Sequence, residues 1–487
     1  MKRFVSLILL VCMTLTLVAC ATDSGNNGDL ENDTQDIGSD KTAYSTVRKQ
    51  DYDGYEVNVT TCSAAEYGMD WEAESLNGSV VNDLIFKRNA LIENDYNVTF
   101  KLHHLGREDV FSSVRNGSLS GDVHDIYGLH QKTIALAQEG LLYDLNTVED
   151  IDLTQEWWDQ NWIKTMKVQG SVYSLVGDIS PYTLLSSSLL LFNKNLFDDL
   201  DLEYPYEFVK SGKWTYEEFK KYIVDYSKDL DENGVYDTED QYGIVGVGGM
   251  AVFGSMYSCD FSFVYNKKGE LVLGYNQDKL ISIYSKMFDT WVTQNNYFAK
   301  SGLSGDAMFA TMEETYDIFK DGRALFCTTS FKQAELYLMD MDKDFGILTM
   351  PKFDEDQKEY CSYVNPSVPT TAMAANVKNP DMIGNIIEAC CALNYDTVTP
   401  ELYETVAKLQ RVRDLESAEI LDIVFRSKVF DPSHWYMISG FEDSVWQQLT
   451  SESNGLVSEL SRYTSSALKE VEYINTQYRK LAQQNES

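Results

Sequence analysis

The arrangement of apolar residues in the first folded stretch constrains the fold of this chain more than any other feature. Tyr55, Val57 and Val59 alternate with polar residues, which predicts a strand with one buried face. Apolar residues then recur three and four positions apart over residues 81–92, the spacing of an amphipathic helix, and the alternation returns over residues 98–102. A strand, a helix and a second strand in succession predict a parallel sheet with crossover helices, which is an α/β fold.

The rest of the chain continues this alternation of strands and helices and is long enough for two lobes. More than 400 residues follow Tyr52, and 44% of the whole chain is apolar, so two cores of ordinary size can form. We therefore expect a doubly wound α/β architecture. The further predicted elements are a strand at 123–127, a helix at 133–139, a buried strand at 184–192, a helix at 214–229 and a long amphipathic helix at 456–481.

The N-terminus has the pattern of an export signal that ends in a lipidated cysteine. Lys2 and Arg3 precede an apolar run over residues 4–18, which is too short and too interrupted by polar residues to span a membrane. The run closes on a small residue and Cys20, the arrangement before which bacterial lipoproteins are cut and acylated. We predict that residues 1–19 are a signal peptide and that Cys20 carries the lipid. A plain signal with an incidental cysteine is the alternative.

Residues 20–51 predict a disordered tether. They are rich in Ser, Asn, Gly, Asp and Thr and contain little apolar surface to bury. A spacer directly after a lipidated cysteine lets a folded domain stand clear of the membrane. We therefore expect a protein anchored on the outer face of the cell membrane by acyl chains such as palmitate.

The charge of the chain excludes two classes of ligand. The net charge is −36 and the isoelectric point is near 4.4. Repulsion opposes binding to nucleic acid and to anionic lipid, whereas a secreted monomer fits this charge. Aromatic residues make up 13% of the chain, including 31 Tyr and 8 Trp. Such rings stack on sugars in extracellular binders, although most of them belong to the core.

The cysteines and histidines indicate neither a redox motif nor a zinc site. The six cysteines that follow Cys20 show no C-x-x-C spacing, which favours buried free thiols. An exported protein permits a disulfide, and a pairing among Cys62, Cys259, Cys327 and Cys361 remains open. The five histidines are scattered without an H-x-x-x-H pattern, which argues against zinc.

One acidic loop has the spacing of an EF-hand calcium site. Oxygen ligands fall at positions 1, 3, 5, 7, 9 and 12 of the loop, and Gly234 at position 6 permits the sharp turn. Position 12 is Asp rather than the usual Glu, which weakens bidentate closure. We predict a structural calcium ion, with a solvated acidic turn as the alternative. The predicted ligands are Asp229, Asp231, Asn233, the backbone carbonyl of Val235, Asp237 and Asp240.

Five stretches of the chain resemble, in order and spacing, segments of one family of binding proteins. On these motifs the chain resembles the extracellular solute-binding lipoproteins of ABC importers, family 1, a class that includes maltose-binding protein and other sugar binders. The motifs are AQEGLLYDL at 137–145, LFNKNLF at 191–197, KWTYEEF at 213–219, KDGRALF at 320–326 and GILTMPK at 346–352.

The resemblance implies a two-lobed periplasmic-binding-protein-like fold of type II. Each lobe is a sheet flanked by helices, and crossing segments form a hinge beside the ligand cleft. The implied lobes are 52–184 with 366–428, and 187–363 with 430–487. The implied crossings lie near 181–188, near 363–369 and between 425 and 435.

The resemblance also implies ten candidate ligand contacts. Trp71 and Trp435 are the leading aromatic candidates, expected to face each other across the closed cleft, with core packing as the alternative for each. Gly128 departs from the family pattern, because some sugar binders carry Trp there. The ten candidates are Asp70, Trp71, His130, Gln131, Lys132, Asp178, Ser186, Phe331, Trp435 and Tyr436.

The function that the resemblance implies is capture rather than catalysis. The expected ligand is a carbohydrate, namely an oligosaccharide, that binds in the cleft, and the closed form delivers it to the permease subunits of an ABC transporter. A secreted glycoside hydrolase is an alternative, but it needs two carboxylates about 5–10 Å apart, and the chain has no G-x-S-x-G motif. A surface adhesin is a third alternative, for which two hinged lobes have no use.

Overall fold

A computed structural model describes most of the chain after the N-terminal segment. Cys20, Lys132 and the predicted signal peptide lie outside the described residues. The described residues are 42–62, 70–71, 73, 75–76, 80–131, 134–299, 306–338, 340–409, 415–438 and 440–485.

Strands and helices alternate along the chain, as the α/β prediction requires. The strands are β1 (Tyr55–Cys62), β2 (Val98–Leu105), β3 (Ile126–Leu129), β4 (Ser188–Asn193), β5 (Tyr242–Val247), β6 (Val264–Lys267), β7 (Glu270–Leu273), β8 (Tyr297–Ala299), β9 (Ala324–Ser330), β10 (Phe345–Leu348), β11 (Ser362–Tyr363), β12 (Thr370–Ala372) and β13 (Lys428–Val429).

The helices range from single turns to a long C-terminal helix. They are α1 (Val80–Tyr96), α2 (Arg107–Ser120), α3 (Ala135–Gln138), α4 (Gln160–Met166), α5 (Tyr182–Leu185), α6 (Lys194–Asp199), α7 (Tyr206–Lys210), α8 (Tyr216–Ile223), α9 (Gly248–Tyr257), α10 (Gln277–Phe288), α11 (Asp306–Lys320), α12 (Phe331–Leu338), α13 (Pro380–Asp396), α14 (Val398–Leu409), α15 (Leu415–Arg426), α16 (Pro432–Trp435), α17 (Phe441–Thr450) and α18 (Leu456–Asn485).

Two sheets organise these elements, and we name a lobe after each. The first lobe has the order β12-β3-β1-β2, in which β1 runs parallel to β2 and β3. The second lobe has the order β10-β4-β9-β5-β8, in which β4 runs antiparallel to both neighbours and β5 runs parallel to β8 and β9. The predicted α/β class and the two-lobed arrangement are confirmed.

The predicted buried strand at 184–192 forms only in its second half. Residues 182–185 are the short helix α5, and β4 begins at Ser188 with all six of its residues buried. Ser186, Ser187 and Ser188 interrupt the leucines, and every residue from 182 to 192 is buried, so periodicity cannot separate a buried helix from a buried strand here. The predicted helix at 214–229 likewise ends at Ile223, because Val224 is extended and Asp225 has a φ of 55°.

Three crossing segments lie side by side between the sheets, as the hinge prediction requires. The chain enters the second lobe through Ser187, which pairs with Val364 on the second crossing. On that second crossing β11 pairs in parallel with β13 of the third. Lys428 on β13 forms a 2.8 Å ion pair with Asp159 beside α4. The hinge is therefore a small sheet rather than three independent linkers.

Two elements that follow the first crossing reach back to the first lobe. The hairpin β6–β7 is held there by Asn266, whose side-chain amide donates to the carbonyls of Thr165 and Lys167 at 3.0 and 2.8 Å. Helix α18 packs against β7 and also against α3. On α18, Asn475 pairs with both backbone groups of Leu271 at 2.9 and 2.7 Å. Hairpin and helix together form what we call the strap.

The last ten residues of the predicted tether are ordered against the first lobe. Tyr44 is 4% exposed, and its hydroxyl donates to Asp95 at 2.9 Å. The backbone amides of Ala43 and Tyr44 both donate to the carboxylate of Asp396 on α13, at 3.1 and 2.9 Å. Folded structure therefore begins about ten residues before the expected start at Tyr52, because one aromatic ring and one carboxylate provide an anchor within a polar segment.

Two global expectations can be compared with the described chain. None of its helices combines the length and apolarity that a membrane crossing demands. Its cysteines are free and buried, so the pairing that the sequence left open among Cys62, Cys259, Cys327 and Cys361 is not formed.

Candidate functional site

A cavity of about 170 Å³ lies where the first lobe, the second lobe and the third crossing meet. The first lobe contributes the second residue after β3, the second lobe contributes α9, and the rest comes from α16, α17 and the turn between them. The described residues that line the cavity are Gln131, Phe253, Ser433, His434, Met437, Ile438, Gly440, Glu442 and Asp443.

The short helix α16 decides which side chain faces the cavity. Asp431 caps this helix by accepting a hydrogen bond from the Ser433 amide at 2.8 Å. Trp435 then points into the core, where it is 1% exposed and meets Trp162 edge to face at 4.8 Å. His434, one position earlier, lines the cavity and contacts Phe253 with ring centroids 5.3 Å apart.

His434 is held in place by a carboxylate and by tyrosines. Its Nδ1 lies 3.0 Å from Oε1 of Glu442 and 3.4 Å from the hydroxyl of Tyr363. Tyr257 donates its hydroxyl to the same Glu442 oxygen and stacks on the Tyr363 ring at 5.3 Å with planes only 5° apart. Because these partners fix the imidazole and the carboxylate, the polar wall of the cavity is formed before any ligand arrives.

A second carboxylate lies directly behind this wall. Asp431 is 4% exposed and accepts hydrogen bonds from the amides of Phe263 and Ser433 at 2.6 and 2.8 Å. Burial, followed by repulsion from Glu442, raises the pKa of Asp431 to about 6. The third crossing therefore brings two carboxylates close together beside the cavity.

The structure places both leading aromatic candidates in the core. Trp71 is 2% exposed, tilts against Phe100 at 5.7 Å, and has the guanidinium of Arg88 over its ring at 5.0 Å. Neither Trp71 nor Trp435 belongs to the described lining of the cavity, so the expected pairing across the cleft is not formed. Both residues therefore pack in the core, the alternative that the sequence left open. Burial of a large aromatic ring is favourable because it removes apolar surface from water.

Each of the two candidate aspartates has a protein partner. Asp70 accepts from the Ser180 hydroxyl at 2.6 Å, and burial raises its pKa to about 7. Asp178 accepts from the Thr399 hydroxyl at 2.6 Å, and burial raises its pKa to about 7 as well. Both lie in the first lobe away from the described lining, so the structure does not bring them to the cavity.

The remaining candidates separate into one cavity residue and several packing residues. Gln131 lines the cavity, while its neighbour His130 is 4% exposed and contacts the Cys62 thiol at 2.9 Å. Burial lowers the pKa of His130 to about 4. The other three are buried: Ser186 accepts from the Asn365 amide in the hinge, Phe331 contacts the Phe425 ring at 5.1 Å, and the Tyr436 hydroxyl meets that of Tyr478.

The acidic loop curls as its spacing predicts, and three of its carboxylates converge. Asp229, Asp231 and Asp240 offer oxygens that lie within 4.8 Å of one another. Asp229 accepts from the amides of Asn233 and Gly234 at 3.2 and 2.8 Å, and Gly234 has a φ of +83°. These oxygens suit a hard cation such as calcium.

The other predicted ligands of this loop have backbone partners. Asn233 Oδ1 accepts from the Val235 amide at 2.7 Å, and Asp237 Oδ1 accepts from the Glu239 amide at 2.9 Å. Buried Asp240 ties the two ends of the loop together, because it accepts from the amides of Leu230 and Asp237 at 2.8 and 3.0 Å.

Of the described lining residues, sequence reasoning predicted only Gln131 and missed the rest, Phe253, His434 and Glu442 among them. The prediction chose Trp435 and Tyr436, which follow His434 in the chain. The cap at Asp431 sets where α16 begins, and this decides which side chain faces the cavity. Phe253 follows Gly248-Gly249 directly after the buried strand β5. A glycine pair at the carboxyl end of such a strand is a general signal for a binding crevice, and it would have directed attention to α9.

Solved structures of substrate-binding proteins share this fold. The ABC substrate-binding protein Lmo0181 of Listeria monocytogenes, solved with cycloalternan, has a TM-score of 0.54 at 15% identity, covering 87% of this chain and 99% of its own. UspC of M. tuberculosis has a TM-score of 0.56 at 11% identity, covering 85% and 99%. The extracellular solute-binding protein of Staphylococcus aureus, solved with maltose, has a TM-score of 0.52 at 14% identity, covering 88% and 98%.

No protein-family model and no curated protein sequence matches the chain. Lmo0181 and the Staphylococcus aureus protein are binding proteins. At identities this low, the structural similarity shows a shared fold. The chain therefore has the two-lobed α/β fold of the maltose- and maltodextrin-binding ABC solute-binding proteins, as its motifs implied.

Proposed function

We propose that this protein captures a carbohydrate in the cavity between its lobes and delivers it to the permease of an ABC transporter. The observation that carries the proposal is the position of the cavity at the junction of both lobes and the third crossing. A ligand held there contacts every part that moves when such a protein closes, so binding is coupled to lobe closure. The permease then distinguishes the closed form from the open one.

The lining suits a sugar. Phe253 offers an aromatic face for the apolar side of a pyranose ring, and Gln131, His434 and Glu442 offer hydrogen-bonding groups for hydroxyls. Proteins with this fold have been solved with cycloalternan, maltotetraose and maltose. A hydrolase is less consistent with the cavity, because Glu442 is already engaged by His434 and Tyr257.

The test is a ligand screen followed by variants of the lining. Native mass spectrometry of protein purified from its own host identifies a retained ligand, and calorimetry with a sugar panel measures affinity. Phe253→Ala and His434→Ala should each weaken binding by roughly 1–3 kcal/mol. His104→Ala, an exposed histidine on β2, is the matched control and should leave affinity unchanged. Turnover of a chromogenic glycoside without any binding of intact sugar would overturn the proposal.

Attachment to the outer face of the membrane through Cys20 belongs to the same proposal. A protein that serves a permease works best when it is held near it, and two acyl chains turn marginal membrane binding into stable anchoring. Cys20→Ser should release the protein into the medium, as fractionation and immunoblotting will report. Retention in the membrane fraction after that change would contradict the anchor.

We further propose that a calcium ion staples the acidic loop next to β5. Asp229, Asp231 and Asp240 are the carboxylates that would hold it. Selective binding to the folded state stabilises by about 2.7 kcal/mol at a hundredfold excess over the dissociation constant, so calcium should raise the melting temperature. Asp231→Ala should abolish the rise, whereas Asp199→Ala on α6 should preserve it. A melting curve that a chelator leaves unmoved would contradict the ion.

A further inference from the structure

We infer that the group bound in the cavity carries a positive charge, so that the preferred ligand is an amino sugar rather than a neutral sugar. This inference rests on the proposed function and names the chemistry of the ligand at that same site.

The first argument is the charge of the cavity wall. Among the described lining residues, Glu442 and Asp443 are acidic, His434 is the one basic residue, and Lys and Arg are absent. His434 is already committed to Glu442 at 3.0 Å. Exposed Asp443 adds a second carboxylate to this wall.

The second argument is the position of Asp431 behind the wall. Its carboxylate is buried, and repulsion from Glu442 contributes to the rise in its pKa. A protein normally separates buried carboxylates or pairs them with cations, because uncompensated charge is costly in a low-dielectric interior. A cationic ligand group beside Glu442 relieves this repulsion, whereas a neutral hydroxyl does not.

The third argument is the aromatic surface of the cavity. Phe253 is half-buried and lines the space, and it is backed by Tyr363 and Trp446 with ring centroids 6.0 and 6.5 Å away. The face of an aromatic ring attracts an ammonium group, by about 2 kcal/mol when the site is desolvated. An amine is therefore favoured over a hydroxyl by two interactions, one with the aromatic ring and one with the carboxylates.

The size of the cavity limits the ligand to a small group. Pockets that hold drug-sized ligands measure roughly 300–1,000 Å³, and this cavity has about 170 Å³. One monosaccharide unit fits that space better than an oligosaccharide. The net charge of −36 acts in the same direction, because a negative protein draws cationic solutes toward its surface.

The experiment compares three sugars that differ at one substituent. Isothermal titration at about pH 6, below the ordinary pKa of an amine, measures D-glucosamine, N-acetyl-D-glucosamine and D-glucose. We expect D-glucosamine to bind at least roughly tenfold more tightly than the other two, the worth of one charge-assisted hydrogen bond. Equal or weaker binding of D-glucosamine overturns the inference while leaving the proposed function standing. Binding of none of these sugars, nor of any in the wider panel, overturns both.

A pair of matched variants localises the effect. Glu442→Gln keeps the shape of the side chain and removes its charge, so the ratio of D-glucosamine affinity to D-glucose affinity should fall at least fivefold. Glu355→Gln, in an exposed loop, is the control and should keep the wild-type preference. Circular dichroism and the melting temperature of each variant confirm folding. An unchanged preference in folded Glu442→Gln contradicts the assignment to this cavity.

Discussion

The region around Asp70 in the first lobe and the third crossing around His434 contain similar residues and arrange them in opposite ways. Both have a buried Trp, a buried carboxylate and neighbouring polar side chains. In the first lobe those polar groups are buried against protein, since Ser180 donates to Asp70 and Cys62 contacts His130. At the third crossing, His434 and Glu442 face a cavity. Residue type therefore marks both regions as candidate sites, but only the direction of the side chains distinguishes a site from a core.

The largest expected effect tests the boundary between core and cavity within two adjacent residues. Trp435→Ala should lower the free energy of unfolding by about 3–5 kcal/mol, the usual cost of removing a buried Trp, because its ring packs against Trp162. His434→Ala should cost far less stability, since its ring borders open space. Urea denaturation of both variants measures the difference. If Trp435→Ala is as stable as wild type and loses only sugar affinity, the comparison fails.

A smaller effect concerns the pH dependence of stability in the first lobe. Burial raises the pKa of Asp70 and Asp178 to about 7, and burial raises that of Glu388, which accepts from two indole N–H groups, to about 8. The folded state therefore keeps protons that the unfolded state has already released. The contribution of these three groups to stability is full below the ordinary carboxyl pKa near 4 and is lost as pH rises toward about 8.

Asp178→Asn sharpens this prediction. It removes one of these titrations while Asn can still accept from Thr399. The loss of stability between about pH 5 and pH 8 should shrink by at least about 1.4 kcal/mol, the value of one pKa unit. Thermal melts across this range provide the measurement, with exposed Asp356→Asn as the control. Stability that rises with pH in the wild type would contradict the direction of the shifts.

The smallest expected effect concerns the ligand. Trp71→Phe should leave sugar affinity within about twofold, or roughly 0.4 kcal/mol, because the ring packs on Phe100 and under Arg88 rather than against the cavity. The titration used for the cavity variants applies unchanged. A loss of sugar affinity of tenfold or more would show that Trp71 contacts the ligand. The two regions would then both be binding sites.

Much of the fold could be predicted because it depends on periodic burial. β1 begins at Tyr55, where the alternation begins, and α18 begins at Leu456, where the helical spacing begins. The error at 184–192 arose where every residue is buried, since a segment without an exposed face gives no periodic pattern. Periodicity thus fixes elements that have two different faces and fails for those that have one.

The candidate site could be predicted less well, because a single capping contact decides which side chains of a short helix face the cavity. Gln131 was predicted and lines the cavity, whereas the prediction at the third crossing fell one and two positions beyond His434. A one-turn helix rotates successive side chains by about 100°, so an error of one position exchanges core for cavity. The EF-hand spacing was more informative, since a ligand pattern within one loop needs no knowledge of distant packing.

The strap has a mechanical consequence. Its helix spans 30 residues, which corresponds to a rod about 45 Å long, and this rod lies across both lobes with Asn475 locked to the hairpin. A rod that grips two bodies resists shear between them but still allows them to rotate about its own length. We therefore expect the lobes to rotate about one axis, close to that of the helix. Their opening angle should vary less than it would if three flexible linkers alone joined them.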